Sequence, residues 1–424
     1  MNKLINWLES DLAPKLNKLT RNTWIIVLKE SVMQILPFIL LGSVYCCLAI
    51  LNDYFPDLPS FWTPFGWTMG KLSVFIAFLV PFNYCEIKHL RRQRLVAGLT
   101  GLMLFFMTVT PVVTADATIG FGDSSLGAGG MFVAIVTGII TSLVFAGFGK
   151  FSFFKEDSAI PDFVRTWFDQ MLPIFCVISA GWLIIDVAGF NLYNVVVAIF
   201  MPLQNIYNTP GGFILGTFIH TFIYSMGISG WVLTPVEQPV KMAGIAANLA
   251  LVAAGTATVA NMNMYTEGLI YCTYMWVGGI GCTLPLVVML MKSKSKRLSA
   301  LGKACIVPGI FNINEPVVFG CIVWNPLLML PMWLNGIIIP ALTWFFCKVI
   351  AFAPIPKIQF ELWYCPYPIS TWISTGSVKA VIFLIITVAV SSLLWYPFFK
   401  AYEKQEVEAE TKKENTDTGV ETVA

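Results

Sequence analysis

The sequence predicts an all-α polytopic membrane protein with about ten transmembrane helices, two reentrant or interrupted segments and amphipathic helices at the membrane interface. Three observations predict it. Of the 424 residues, 57% are hydrophobic and 12% are charged, against roughly 25% charged residues in an ordinary soluble domain. The apolar residues come in runs close to the ~20 residues that cross a bilayer as a helix. Lys and Arg gather in a few short connections between those runs, the pattern of cytoplasmic loops.

Taken in order, residues 1–30 form an amphipathic cytoplasmic N-terminus. Their start, MNKLINWLESDLAPKLNKLT, lacks the apolar core and small-residue cleavage site of a signal peptide, so it is expected to be retained. Residues 31–205 form an N-terminal transmembrane half, with apolar runs near 31–51, 71–87, 96–114, 130–149, 171–189 and 193–203. Lys88, Arg91, Arg92 and Arg94 follow the second run and Lys150, Lys155 and Arg165 the fourth, whereas 52–70 and 115–129 hold no Lys or Arg. The positive-inside rule then puts the N-terminus in the cytoplasm. It also puts 292–303 (KSKSKRLSALGK) and the C-terminus there, so the segments flanking that loop cross an even number of times. Residues 151–168 (FSFFKEDSAIPDFVRTWF) mix charge with aromatic rings too closely to span. They suit a helix lying at the cytoplasmic interface.

Residues 206–400 form a C-terminal half of a different kind. Its apolar runs are broken by Gly, Pro and isolated charges at 227–244, 307–320 and 359–376. Non-helical backbone at membrane depth is tolerated where it is buried in protein or lines a water-filled cavity, and in transporters such segments form the solute site. Residues 401–424 are polar and featureless and are expected to be a disordered cytoplasmic tail.

The same composition excludes several functions. A net charge of +2 with the cations confined to short loops does not describe a nucleic-acid binder. The ten cysteines contain no C-x-x-C pair and read as small buried hydrophobes, with no metal site and no cofactor. With His89 and His220 the only histidines, there is no nucleophile with a plausible base and no hydrolytic enzyme.

What chemistry there is centres on Asn312-Ile313-Asn314-Glu315-Pro316. Pro316 removes a backbone donor and breaks the helix, presenting the Glu315 carboxylate beside two amides and freed carbonyls. Donors and acceptors this dense suit sugar hydroxyls, each of which needs hydrogen bonds when stripped of water. The plainer alternative is a buried Glu that ties a helix break together; an ionisable residue within the membrane favours the functional reading.

The stretch VPGIFNINEPVVFG (307–320), with SKSKRLSALGKACIVPG before it, CPYPISTWISTG and YPFFK (396–400) after it, and LPFILLGS (36–43) near the start, resembles the membrane-spanning IIC component of the sugar phosphotransferase system, lactose/cellobiose (diacetylchitobiose) family. That resemblance covers most of the chain. It implies a homodimer in the bacterial inner membrane, built through the 31–205 half. A sugar would be bound by the 206–400 half, moved across, and phosphorylated by a separate IIB protein served by IIA. It further implies that Glu315 contacts sugar hydroxyls, that Asn312 and Asn314 shape the loop, and that 359–376 lines the cavity. Trp363, Tyr364 and Trp372 offer faces for sugar stacking or belong to an interfacial belt.

The sequence departs from the family at one place. Relatives carry Gly-Ile-His-Gly, whose histidine bonds the sugar, where this chain has Gly227-Ile228-Ser229-Gly230. Serine keeps one donor and one acceptor without the imidazole's reach. His220 is displaced from Ser229 by more than about ten ångströms if the stretch is helical, and reads as a helix-packing residue. Glu237 and Lys241, four apart, form a structural ion pair if helical, or Glu237 enters the site in the imidazole's place. Glu267 and Glu361 sit at the edges of apolar runs, where interfacial roles suffice. Three functions follow: a permease coupled to phosphorylation with no IIB domain of its own, a relative moving solute without phosphorylation, and a sugar-binding membrane sensor.

Overall fold

The computed structural model describes residues 22–49, 51–55, 57–109, 111–113, 118–149, 151–154, 161–228 and 230–420. By their contacts these fall into two compact units. One takes the described part of Lys18–Asn205 together with Thr234–Ala247, the other Ile206–Leu233 with the described part of Asn248–Ala424. Among the described residues, five helical stretches are long and apolar enough to cross a membrane: Trp62–Ile87, Ala128–Gly147, Asp162–Val187, Pro326–Val349 and Val378–Lys412. The one β feature among the described residues is a two-residue ladder, Val112–Val113 against Ile119–Gly120.

In the first unit the helices are α1 (Thr23–Ala49), α2 (Leu72–Ile87), α3 (Arg94–Thr108), α4 (Met131–Gly147), α5 (Asp162–Trp182) and α6 (Leu192–Tyr207). The Asn22 side chain accepts from Trp24 N–H at 2.9 Å and caps α1. Residues 23–30, expected in an amphipathic cytoplasmic N-terminus, are thus the opening turns of α1, and residues 1–21 of that segment lie outside the described residues. The apolar tetrad Ile25-Ile26-Val27-Leu28 explains the difference. Val27 is fully buried. Thr100, Thr108, Thr137, Thr141 and Ser142 donate their hydroxyls to carbonyls four residues back on their own helices, so these polar side chains cost little in apolar surroundings. Glycine sets the helix spacing: a Cβ added at Gly101 on α3 would stand 2.7 Å from the Ala77 carbonyl oxygen of α2.

Of the interfacial helix expected over 151–168, residues 155–160 lie outside the described residues. Residues 151–154 are non-helical, and α5 begins at Asp162 and runs on through Trp182 into a π turn at Leu183–Val187. Gln170 donates to the Arg92 carbonyl at 2.7 Å, and an Asp162–Arg165 pair sits in the first turn. The polar face of those turns is therefore satisfied without leaving the helix that spans.

The other unit holds α7 (Pro210–Ser225), the end of α8 (Thr234–Ala253), α9 (Leu284–Met291), α10 (Lys296–Ile310), α11 (Pro326–Trp344), α12 (Ile369–Thr375) and α13 (Val378–Val420). Thr209, Ser295 and Asn325 cap α7, α10 and α11 by accepting from Gly212, Leu298 and Leu327 N–H. The break expected over 227–244 is confined to the residues before Thr234, because Pro235 at the start of α8 is compatible with a helix's first turn. An irregular stretch that the sequence reading passed over, 254–283, holds Gly278, Gly279, Gly281 and Cys282 at positive φ. Leu286, Leu290, Val318, Leu328, Met332 and Trp395 are buried together beneath it.

The disordered tail expected over 401–424 is corrected up to Val420, since α13 is helical to that residue. Its acidic residues have partners. Glu403 accepts from Lys294 N–H at 2.8 Å. Glu410 accepts from Lys296 N–H, Arg297 N–H and the Ser295 hydroxyl at 2.7 to 3.0 Å, and Glu406 pairs with Arg297 at 2.6 Å. Carboxylates at the amide end of α10 are stabilising there.

Candidate functional site

The motif around Glu315 follows directly on α10. Phe311 closes the helix, and Asn312 takes φ +61°, a left-handed conformation that asparagine tolerates better than other side chains. Its Oδ1 accepts from Gly278 N–H at 2.9 Å. Its Nδ2 donates to the Trp363 carbonyl at 2.8 Å and the Cys365 carbonyl at 3.0 Å. One buried amide therefore joins the glycine loop, the Glu315 motif and the 359–376 segment.

Asn314 works the same way one residue on, donating to the Ile280 carbonyl at 2.9 Å and Thr283 Oγ1 at 3.2 Å. Gly279, at φ +99°, lets the loop approach; a Cβ there would lie 2.4 Å from Asn314 Cγ. Asn312 and Asn314 are 8% and 4% exposed. Both amide nitrogens are committed within the protein, that of Asn312 to the 359–376 segment and that of Asn314 to the glycine loop.

Glu315 is different. It is exposed, opens a single turn Glu315–Val317 followed by a π turn at Val318–Ile322, and its carboxylate takes no hydrogen bond or ion pair among the described residues. Tyr224, on α7, is 3% exposed, and its hydroxyl has no hydrogen-bond partner among the described residues. The Phe319 ring meets Tyr224 edge-on at 6.1 Å. The Trp324 N–H donates to the Ser225 carbonyl at 3.2 Å. The end of α7 thus lies against the segment that follows Glu315.

The third broken segment is anchored by side chains that satisfy exposed carbonyls. Thr371 donates to the Thr273 carbonyl at 2.7 Å and Tyr367 to that of Tyr271 at 2.8 Å. Ser391 and Trp395 both donate to Cys282. Trp363 and Tyr364 meet edge to face at 5.5 Å, and the Trp363 carbonyl is the one held by Asn312. Trp372 stands 50% exposed on α12. Glu361, expected at the interface, is buried and accepts from Gln359 at 3.2 Å.

Glu237 falls in the other unit. It pairs with Lys241 at 3.8 Å, both side chains at most 5% exposed, which is the structural alternative of the two readings. A buried pair of this kind organises a helix more than it stabilises one.

Ser229 lies outside the described residues. Its surroundings correct one inference, because α7 ends at Ser225 and Gly227 reverses the chain at φ +78°. The chain returns alongside the helix, and a Cβ at Gly230 would stand 3.4 Å from His220 Nδ1. The argument that helical spacing separates His220 from this segment therefore fails. His220 is buried, with its ring edge-on to Tyr271 at 6.3 Å. The sequence reading also missed Tyr224, which nothing local marked, and the glycine loop, which Gly278-Gly279-Ile280-Gly281 did mark.

The chain matches the family described as "Phosphotransferase system, EIIC" over residues 29–336. It is 27% identical to the lichenan permease IIC component of Bacillus subtilis (strain 168), over 99% of this chain and 98% of that protein. It is also 27% identical to the lactose-specific EIICB component of Staphylococcus epidermidis, over 97% of this chain and 72% of that protein. With the cellobiose-specific EIIC component of Geobacillus stearothermophilus it shares 23% identity, over 97% and 96%. The crystal structure of the IIC component from the N,N'-diacetylchitobiose-specific system superposes with a TM-score of 0.85, at 23% identity, over 96% of this chain and 99% of that one. At that identity the likeness is one of fold.

Proposed function

The chain belongs to the phosphotransferase system EIIC family, and from that premise we propose that it is a sugar permease moving a β-linked disaccharide of the cellobiose, lactose or chitobiose class. The sugar crosses the bacterial inner membrane and is phosphorylated by a separate IIB protein. Relatives named for lichenan, lactose and cellobiose support the substrate class, and relatives in which C and B components share one chain support the IIB partner. About ten crossings, cytoplasmic termini and a homodimer through the 31–205 half complete the proposal.

The observation that carries it is the contrast within one motif. The asparagine amides are used up within the protein, while the Glu315 carboxylate has no partner among the described residues. A carboxylate held this way accepts from two hydroxyls at once. The Trp363 and Tyr364 rings supply apolar faces for the sugar. We assign to His220, beside Gly230, the imidazole contact with the sugar that Ser229 does not supply.

Glu315→Gln tests this. The change removes an acceptor for sugar hydroxyls while keeping shape, so disaccharide affinity should fall about 10- to 100-fold with thermal stability unchanged. Wild-type affinity for cellobiose and for chitobiose in that variant would sink the site assignment. Cellobiose uptake that continues after the phosphoryl donor chain is removed would sink the coupling to IIB.

A further inference from the structure

Away from Glu315, in the unit built on α1–α6, lies a cavity of about 760 Å³ between the 89–93 loop and the start of α5. That volume is in the ~300–1,000 Å³ range of small-molecule sites. The proposed sugar chemistry makes no use of it. Its walls carry His89, Arg91, Arg92 and Arg165 against Asp162 and Asp169, so the local charges decide what it takes.

Most of those charges are already matched. Arg91 pairs with Glu86 at 3.0 Å and Arg165 with Asp162. Asp169 accepts from the Ser152 hydroxyl at 2.9 Å and from Phe153 N–H at 2.8 Å. The Arg92 guanidinium is left: it is exposed and makes no ion pair or side-chain hydrogen bond among the described residues. Among the described lining residues the cavity thus offers one cation without a protein partner, and its ligand needs an anionic oxygen.

The surroundings say where such a ligand comes from. Asp162, Arg165, Thr166, Asp169 and Gln170 recur along one face of α5 and line the cavity. The rings on its other side, Phe163 at 59%, Trp167 at 64% and Phe168 at 41%, are exposed. Phe151, Phe153 and Phe168 continue the aromatic surface edge to face. Exposed tryptophan and phenylalanine beside arginine belong at the boundary between acyl chains and headgroups. The basic loop marks the cytoplasmic side, where cationic pockets between membrane helices take lipid phosphates.

We propose that this cavity binds the phosphate of an anionic phospholipid headgroup from the surrounding leaflet. Arg92 meets the phosphate, and the aromatic rings hold the acyl end.

The test uses the full chain in uncharged detergent, with bound lipid counted by native mass spectrometry. Phosphatidylglycerol should be retained over phosphatidylcholine. Arg92→Gln should weaken that retention roughly tenfold, as expected for loss of one charge-assisted contact. Lys303→Gln, an exposed cation elsewhere, should leave it unchanged. Equal losses in the two variants would mean diffuse charge attraction and overturn the site. Displacement of the lipid by inorganic phosphate would overturn the lipid as the source. Arg92→Gln that retains lipid normally but slows phosphotransfer from a IIB protein would reassign this face to protein docking and overturn it too.

Discussion

The two units solve one problem, holding helices together where water is scarce, in different ways. Around α2–α4 the helices are continuous, their hydroxyls bond their own carbonyls, and small residues bring backbones into contact. Membrane helices gain no hydrophobic drive toward one another, so close packing of this kind does the work. Around Glu315 the helices are short and interrupted, and side chains from distant segments stitch the freed backbone: Asn312 to Gly278, Trp363 and Cys365, Tyr367 to Tyr271, Trp395 to Cys282. The first arrangement makes a scaffold. The second leaves polar groups at membrane depth with their geometry fixed, as a solute site requires.

The sharpest way to break the stitched region is Asn312→Ala. It strands the buried Gly278 N–H and puts a Cβ residue without a compensating side-chain bond at φ +61°. A loss of about 3 kcal/mol is expected, read as a lowered midpoint of thermal unfolding in detergent together with lost sugar binding. Asn312→Gly separates the two causes, because it restores left-handed freedom without the bonds and should recover about 1 kcal/mol.

A smaller effect is expected in the packed region. Gly101→Ala forces a Cβ to 2.7 Å from the Ala77 oxygen and from Pro81 Cγ, and overpacking of this kind costs about 1–3 kcal/mol. Unlike Asn312→Ala, it should leave the sugar affinity of the folded fraction intact, measured by calorimetric titration. Equal loss of affinity in both variants would erase the distinction between scaffold and site.

The smallest effect concerns the end of α13. Glu410→Gln replaces a charged acceptor at the start of α10 with a neutral one, a change of about 0.3–1 kcal/mol. Hydrogen exchange at Lys296 and Arg297 should quicken while the melting midpoint hardly moves. Unchanged exchange would leave that contact without a stabilising role.

Much of the class was legible because it depends on composition and local pattern. Long apolar runs must leave water, arginine and lysine resist translocation, and a proline beside an ionisable residue in an apolar stretch breaks a helix at a place worth the cost. Those constraints single out Glu315 and the 307–320 and 359–376 segments from composition alone. They also mislead twice for one cause: helical spacing separates His220 from the segment around Ser229, and a polar composition makes a disordered tail of residues 401–420, which are helical.

Each of these outcomes was decided by a contact distant in sequence or by a single residue at positive φ. Gly227 folds the chain back on α7, the amide end of α10 gives the tail's carboxylates their partners, and the glycine loop turns two asparagines inward. The sequence by itself determined that this chain lives in a membrane and that its polar chemistry gathers at Asn312-Ile313-Asn314-Glu315. Only the tertiary structure decided which of those groups is used within the protein and which is left exposed without a partner among the described residues. Desolvation acts on each stretch of chain where it stands, whereas a hydrogen bond needs its partner brought to within about 3 Å, and that depends on the whole fold.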